Sequence, residues 1–178
     1  MKILAVCVLG CAVVVLVGAA GVEEQKAQND QTELTNLDKR YLLYFRGWSR
    51  INGRLFYYVP KPMTWTQAEK YCQSIGANLA SVHSRYEYKR IQKLIFVATH
   101  AKRETWIGGS DAQQERTWLW SDGSVFRYSY WCPREPNNYH GRQHCLQMNH
   151  RAWCWDDLEC YARRPSVCAK KRHIWHRG

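Results

Sequence analysis

The chain contains no Asn-x-Ser/Thr sequon and no Cys-x-x-Cys pair. The first absence argues against N-glycosylation, and the second removes the ligand spacing of the common cysteine zinc sites. Past Val22 no run is apolar enough to cross a bilayer, so no membrane span is expected once the N-terminal segment is gone. Acidic residues are scarce: 15 Asp and Glu stand against 26 Lys and Arg, for a net charge of +11. Over residues 41–178 the balance is 22 against 10, or +12. Such a surface favours anionic partners such as acidic glycans and bacterial envelopes. The charge is scattered rather than gathered on one helix, so a merely soluble basic surface is the plainer alternative and no nucleic acid is expected.

The N-terminus reads as a targeting signal. Lys2 opens it, Ile3 to Val17 is apolar, and Gly18-Ala19-Ala20-Gly21 offers small residues for cleavage. Residues 1–20 are therefore expected to be a signal peptide and the protein to be secreted and extracellular, although Ile3 to Val22 is just long enough for an uncleaved anchor. Residues 21–40 carry Glu23, Glu24, Asp30, Glu33 and Asp38 and close on Lys39-Arg40. They are either an acidic propeptide or a flexible arm. A folded domain over 41–172 and a solvated basic tail over 173–178 complete the chain. Cys7 and Cys11 leave with the signal. The six remaining cysteines predict three disulfides and rule out no particular pairing.

Asn52-Gly53 predicts a hairpin over Tyr44–Val59, with Leu55, Tyr57 and Val59 alternating on its outgoing strand. Thr64 with Gln67 opens a helix to about Gly76, burying Ala68, Tyr71, Cys72 and Ile75. Ser84 with Glu87 opens a second, burying Tyr88, Ile91, Leu94, Ile95 and Ala98. Short strands follow around Trp106–Gly109, Thr117–Trp120, Cys145–Met148 and Ser166–Ala169. Two helices and several short strands define an α+β domain. Trp106, Trp118, Trp120, Trp131 and Trp155 are read as core residues.

The stretch from Trp131 to Cys160 carries the chemistry. Side-chain oxygens from Glu135, Asn137, Gln143, Asp156 and Asp157 lie on two short segments that flanking cysteines could hold together. Ca²⁺ takes six to eight oxygen ligands and tolerates irregular geometry, so a calcium site on a loop is predicted. A cis Glu135–Pro136 bond would turn neighbouring oxygens the same way. His140, His144 and His150 match no standard zinc spacing and are read as surface histidines.

The helix Thr64–Cys72, the strand Trp106-Ile107-Gly108-Gly109, and the triplets Glu135-Pro136-Asn137 and Trp155-Asp156-Asp157 occur in the order of the C-type lectin-like domain. The chain resembles that family over nearly all of 41–178. The resemblance implies a disulfide-stapled α+β fold, with two helices, short antiparallel sheets and a long calcium-binding loop region. It implies the bridges Cys72–Cys168 and Cys145–Cys160. The third pair, Cys132–Cys154, is similar to a fish subgroup of ladderlectin-like and galactose-binding lectins and type II antifreeze proteins. It departs from the family in lacking the N-terminal bridge of longer members, with Tyr44 and Leu55 in place of its cysteines. It also has Gln143 where Glu is usual and Asp156 where Asn is usual. The formal charge of the ligand set is unchanged at −3, because loss at one position balances gain at the other.

The resemblance further implies sugar binding through Glu135, Asn137, Gln143 and Asp156 in a secreted lectin of innate defence, and Tyr139 and His140, in the loop between Asn137 and Gln143, are the candidates for further sugar contact. Galactose-type and mannose-type ligands both remain open. With all six cysteines paired internally, any homo-oligomer is expected to be noncovalent. The alternative is an ice-binding protein on the same fold. A hydrolase, in which Glu135 and Asp157 form an acid–base pair, is rejected because the family reads both as ligands.

Overall fold

The computed structural model describes residues 47–170, Ala152 excepted. The expected signal peptide, acidic arm and basic tail, and Tyr44 at the start of the expected hairpin, lie outside the described residues. Asn52 and Gly53 take positive φ, 48° and 78°, which lets a two-residue turn follow the twist of its strands. The turn joins β1 (Trp48–Ile51) to β2 (Arg54–Met63). Alternation singled out Leu55, Tyr57 and Val59, but Phe56 and Tyr58 on the other face are the ones in the main core. Over residues 55–59 both rows are covered, Phe56 and Tyr58 in one apolar cluster and Tyr57 and Val59 in another.

The first helix, α1 (Trp65–Ser74), starts at a complete capping box. Gln67 N–H donates to Thr64 Oγ1 at 3.3 Å, and Thr64 N–H to Gln67 Oε1 at 3.2 Å. Ala68 and Cys72 are buried as expected; Tyr71 is not, and Glu69 is buried instead. Helical period sees only apolar residues, whereas the Glu69 carboxylate is made burial-tolerant by its donors. Gln73, Asn78, the Leu79 N–H and Ser121 all donate to it, at 2.6–2.9 Å.

Helix α2 (Arg85–Thr99) is capped by Ser84, whose hydroxyl accepts the Glu87 N–H at 3.1 Å. Glu87 does not return the bond to Ser84. Its carboxylate takes the His83 N–H at 2.8 Å and Arg54 at 2.9 Å, and it is buried. Tyr88, Ile91 and Ile95 enter the core, Leu94 is half-buried, and Ala98 stands in solvent with Phe96 and Val97.

The remaining strands are β3 (Asn78–Leu79), β4 (Thr105–Ser110), β5 (Leu119–Trp120), β6 (Gln143–His150), β7 (Cys154–Glu159) and β8 (Arg164–Lys170). They form one mixed sheet in the order β1-β2-β8-β4-β6-β7, with β3 on β8 and β5 on β4. Every pairing is antiparallel except that of β4 with β8. Gly108 is required in β4 by close approach, since a Cβ there would lie 2.7 Å from the Leu79 carbonyl oxygen.

Trp155 organises the irregular span after β5. Its buried ring meets those of Tyr88, Trp120, Phe126, Tyr128 and Trp131 edge-on, with centroids 5.7–6.1 Å apart. Trp106 and Trp120 are buried as well, and Trp118 and Trp131 partly so. Disulfides close the frame: Cys72–Cys168 joins α1 to β8, Cys132–Cys154 joins the span to β7, and Cys145–Cys160 joins β6 to the residue after β7.

Candidate functional site

With Trp155 fixed by its aromatic neighbours, the next two residues are fixed too. In the β6–β7 register Asp156 lies opposite Gln147 and Asp157 opposite Leu146. Both aspartates are buried. One oxygen of Asp157 accepts the Asn137 N–H at 3.0 Å and the other accepts the Asn138 N–H at 2.7 Å. That carboxylate therefore holds the loop that follows the cis Glu135–Pro136 peptide. Asn137 Nδ2 donates to Glu135 Oε1 at 2.9 Å. Asp156 Oδ2 accepts from Gln147 Nε2 at 2.9 Å and lies 3.5 Å from His150 Nδ1.

Carboxylate oxygens of Glu135, Asp156 and Asp157 lie within 4.8 Å of one another. Burial, then the charges of Asp156 and Asp157, push the Glu135 carboxyl up to about 7. Burial also raises Asp156, against the opposing pull of Gln147 and His150. Glu135 Oε2 is buried and meets no hydrogen-bond donor among the described residues. Three crowded carboxylates with an orphaned oxygen are relieved by a divalent cation, so the donor set fits Ca²⁺.

Glu135, Asn137, Asp156 and Asp157 are thus brought together. Gln143 sits at the far end of the same loop. Its Oε1 accepts the Tyr139 N–H at 2.9 Å, and its N–H donates to Asn138 Oδ1 at 2.9 Å. Tyr139 is 62% exposed, its ring beside that of His140. The expected loop site is partly a strand site: Gln143 opens β6, and Asp156 and Asp157 lie within β7. The start of β7 is buried on both faces, which erases the alternation by which a strand is recognised.

A neighbouring cluster escaped the sequence reading. His144 Nδ1 lies 3.1 Å from Asp111 Oδ1 and 3.6 Å from Glu115 Oε2. Glu115 also accepts from Asn138 Nδ2, so this cluster props the loop after Pro136 from outside. The spacing of Asp111 and Glu115, four residues apart after β4, was the only available signal. His144 and His150 are half-buried partners of carboxylates rather than free surface residues.

The Glu135 shift carries a pH signature. Its folded-state value lies above the ordinary 4.5, so the cation-free native state holds a proton that the unfolded chain gives up. The associated stability is full below pH 4.5 and is lost as pH rises through about 7. In chelator, the melting temperature of the wild-type chain relative to Glu135→Gln should fall between pH 5 and pH 8. A pH-independent difference would contradict this.

Residues 61–170 match the family profile described as Lectin C-type domain. The chain belongs to the C-type lectin domain family, in which members are binding domains rather than enzymes. Ladderlectin of Oncorhynchus mykiss is 38% identical, over 96% of this chain and 95% of its own length. The galactose-specific lectin nattectin of Thalassophryne nattereri is 38% identical, over 70% of this chain and 79% of its own. Two solved type II antifreeze proteins have the same fold. The calcium-independent one is 38% identical with a TM-score of 0.63, over 70% of this chain and 91% of its own. A Ca²⁺-dependent one in its Ca²⁺-free form is 33% identical with a TM-score of 0.65, over 70% and 98%. Among the described residues no helix is long and apolar enough to cross a membrane.

Proposed function

We propose that the protein is a secreted, Ca²⁺-dependent lectin that recognises terminal sugars and acts in innate defence against microbes. Residues 1–20 are removed as its signal peptide, and residues 21–40 are a propeptide or arm ahead of the lectin domain. The observation that carries the reading is the carboxylate triad, half-buried at Glu135 and buried at Asp156 and Asp157, with its buried, unpartnered Glu135 oxygen. Glu135, Asn137, Gln143, Asp156 and Asp157 hold the ion; the Gln143 carbonyl keeps a second lone pair for it beside the Tyr139 bond. When bound, Ca²⁺ supplies open coordination positions for two neighbouring sugar hydroxyls. Each hydroxyl donates to a carboxylate and accepts from an amide, using Glu135 with Asn137 and Asp156 with Gln143. In this reading Tyr139 meets the sugar ring, and its exposure beside the loop supports that.

Relative to the family the second pair has donor and acceptor exchanged, which favours galactose-type ligands at least as well as mannose-type ones. The similarity to a galactose-specific lectin supports the former. The test is retention of the oxidised protein on galactose- and mannose-coupled beads in millimolar Ca²⁺, followed by a chelator. Chelator-released binding is expected; binding to neither bead would sink the reading. The double variant Gln143→Glu, Asp156→Asn should move preference toward mannose by roughly three- to tenfold, about the worth of one re-paired hydrogen bond. Unchanged selectivity would refute the exchanged-pair argument.

A second reading, ice binding, rests on the equal identity to a type II antifreeze protein. It predicts thermal hysteresis without retention on either bead. The basic side chains of Arg134 and Arg142, exposed on either side of the loop, fit ice poorly.

A further inference from the structure

A groove of about 740 Å³ opens between α2, the β6–β7 turn and the span before Cys132, and it shares no residue with the cation site. Tyr88 forms its buried floor, and the Tyr88 hydroxyl donates to the Trp153 carbonyl. Gln92 donates to that carbonyl and to Asn149, which fixes the wall. Three rings, Phe96, Tyr130 and Trp153, stay exposed along it.

The rim is basic throughout. Arg85, Lys89 and Lys93 recur every four residues, which places them on one face of α2 about 6 Å apart. Lys102 lies across from them, over the Trp153 ring. The carboxylate pairings among the described residues use other basic side chains, namely Arg54, His144, His150 and Arg164. No carboxylate lines the groove. Charge that seemed scattered in sequence is therefore banked on one side of α2.

We propose that this groove is a second, calcium-independent site for an acidic oligosaccharide bearing sulfate or uronate groups. Apolar sugar faces stack on Tyr130 and Trp153. The regularly repeated anions meet the regularly repeated cations of α2. A lipid surface fits less well, because the rings line a concave wall instead of protruding. The site is independent of the lectin reading, since none of its residues serves the ion.

The test titrates the full oxidised chain with a sulfated heparin hexasaccharide, in chelator, at physiological salt, following tryptophan fluorescence and heat. Saturable binding is expected. The double variant Lys89→Ala, Lys93→Ala should weaken it at least tenfold. A control, Lys61→Ala with Lys70→Ala, removes the same charge from exposed positions elsewhere and should change it less than twofold. Equal losses in both variants would reduce the effect to net charge and overturn the proposal. A requirement for Ca²⁺ would move the ligand to the cation site, with the same consequence. Phosphatidylserine vesicles or oligo-dT that bind more tightly, and with the Lys89/Lys93 dependence, would assign the groove to a lipid or a nucleic acid instead. Melting temperatures of both variants establish that the fold is kept.

Discussion

Replacing Asp157 by Asn should weaken calcium binding on the order of a hundredfold or more and also destabilise the cation-free protein. The side chain has two duties at once. It contributes one of the three negative charges within 4.8 Å of each other, and cation affinity in oxygen cages rises with ligand charge. It also accepts two backbone N–H groups, from Asn137 and Asn138. An amide of the same shape turns one acceptor into a donor facing one of those N–H groups. The Asn137–Tyr139 segment then loses a part-buried bond, at about 1–3 kcal/mol. Asp156→Asn is the contrast: its hydrogen bond from Gln147 needs only one acceptor oxygen, which the amide retains. Calorimetric Ca²⁺ titration separates the two variants. Thermal melts in chelator should show a loss for Asp157→Asn and little or none for Asp156→Asn. If Asp157→Asn binds Ca²⁺ like the wild type, Asp157 is no ligand.

What the sequence made legible follows from how local each signal is. The Asn52-Gly53 turn, the Thr64 and Ser84 caps and the Trp106–Gly109 strand are specified by a few adjacent residues, and all four are found. The failures are non-local. Tyr71 and Ala98 have the right period for burial, yet α1 buries Glu69 beside Ala68 and Cys72 instead of Tyr71, and the last turn of α2 runs past the core that Tyr88, Ile91 and Ile95 enter. Glu69 and Glu87 are buried only because donors from distant segments converge on them, which no local pattern announces. The candidate ligands were visible because carboxylates and amides cluster within thirty residues of chain. Asp111, Glu115 and the α2 groove were not, since only the folded chain brings them beside Asn138 or Trp153.

Arg54→Ala should cost about 3–5 kcal/mol, the usual penalty for stripping one partner from a buried charge cluster. Arg54 follows the β1–β2 turn and reaches α2 and the turn after β5 together. It donates to Glu87 at 2.9 Å and to the Ser81 hydroxyl and carbonyl at 2.8 and 3.0 Å, and approaches Asp122 to 3.8 Å. Without it Glu87 is a buried charge paired only with a backbone N–H. Asp122 retains hydrogen bonds from Ser81 and Ser124. Burial pushes the Asp122 carboxyl up, but those hydrogen bonds and Arg54 outweigh it and hold the carboxyl below the ordinary range. Its contribution is therefore present above the unfolded carboxylate value and disappears as pH falls through the lower folded one. Arg54→Ala should shrink that acid-side loss. Adding Glu87→Gln to Arg54→Ala should recover part of the stability, because the second change removes the unpaired charge. Urea unfolding with the disulfides intact, at pH 7 and pH 3, measures both effects. A double variant no more stable than Arg54→Ala would show that the arginine acts through packing on Phe56, which its guanidinium also covers, and not through charge.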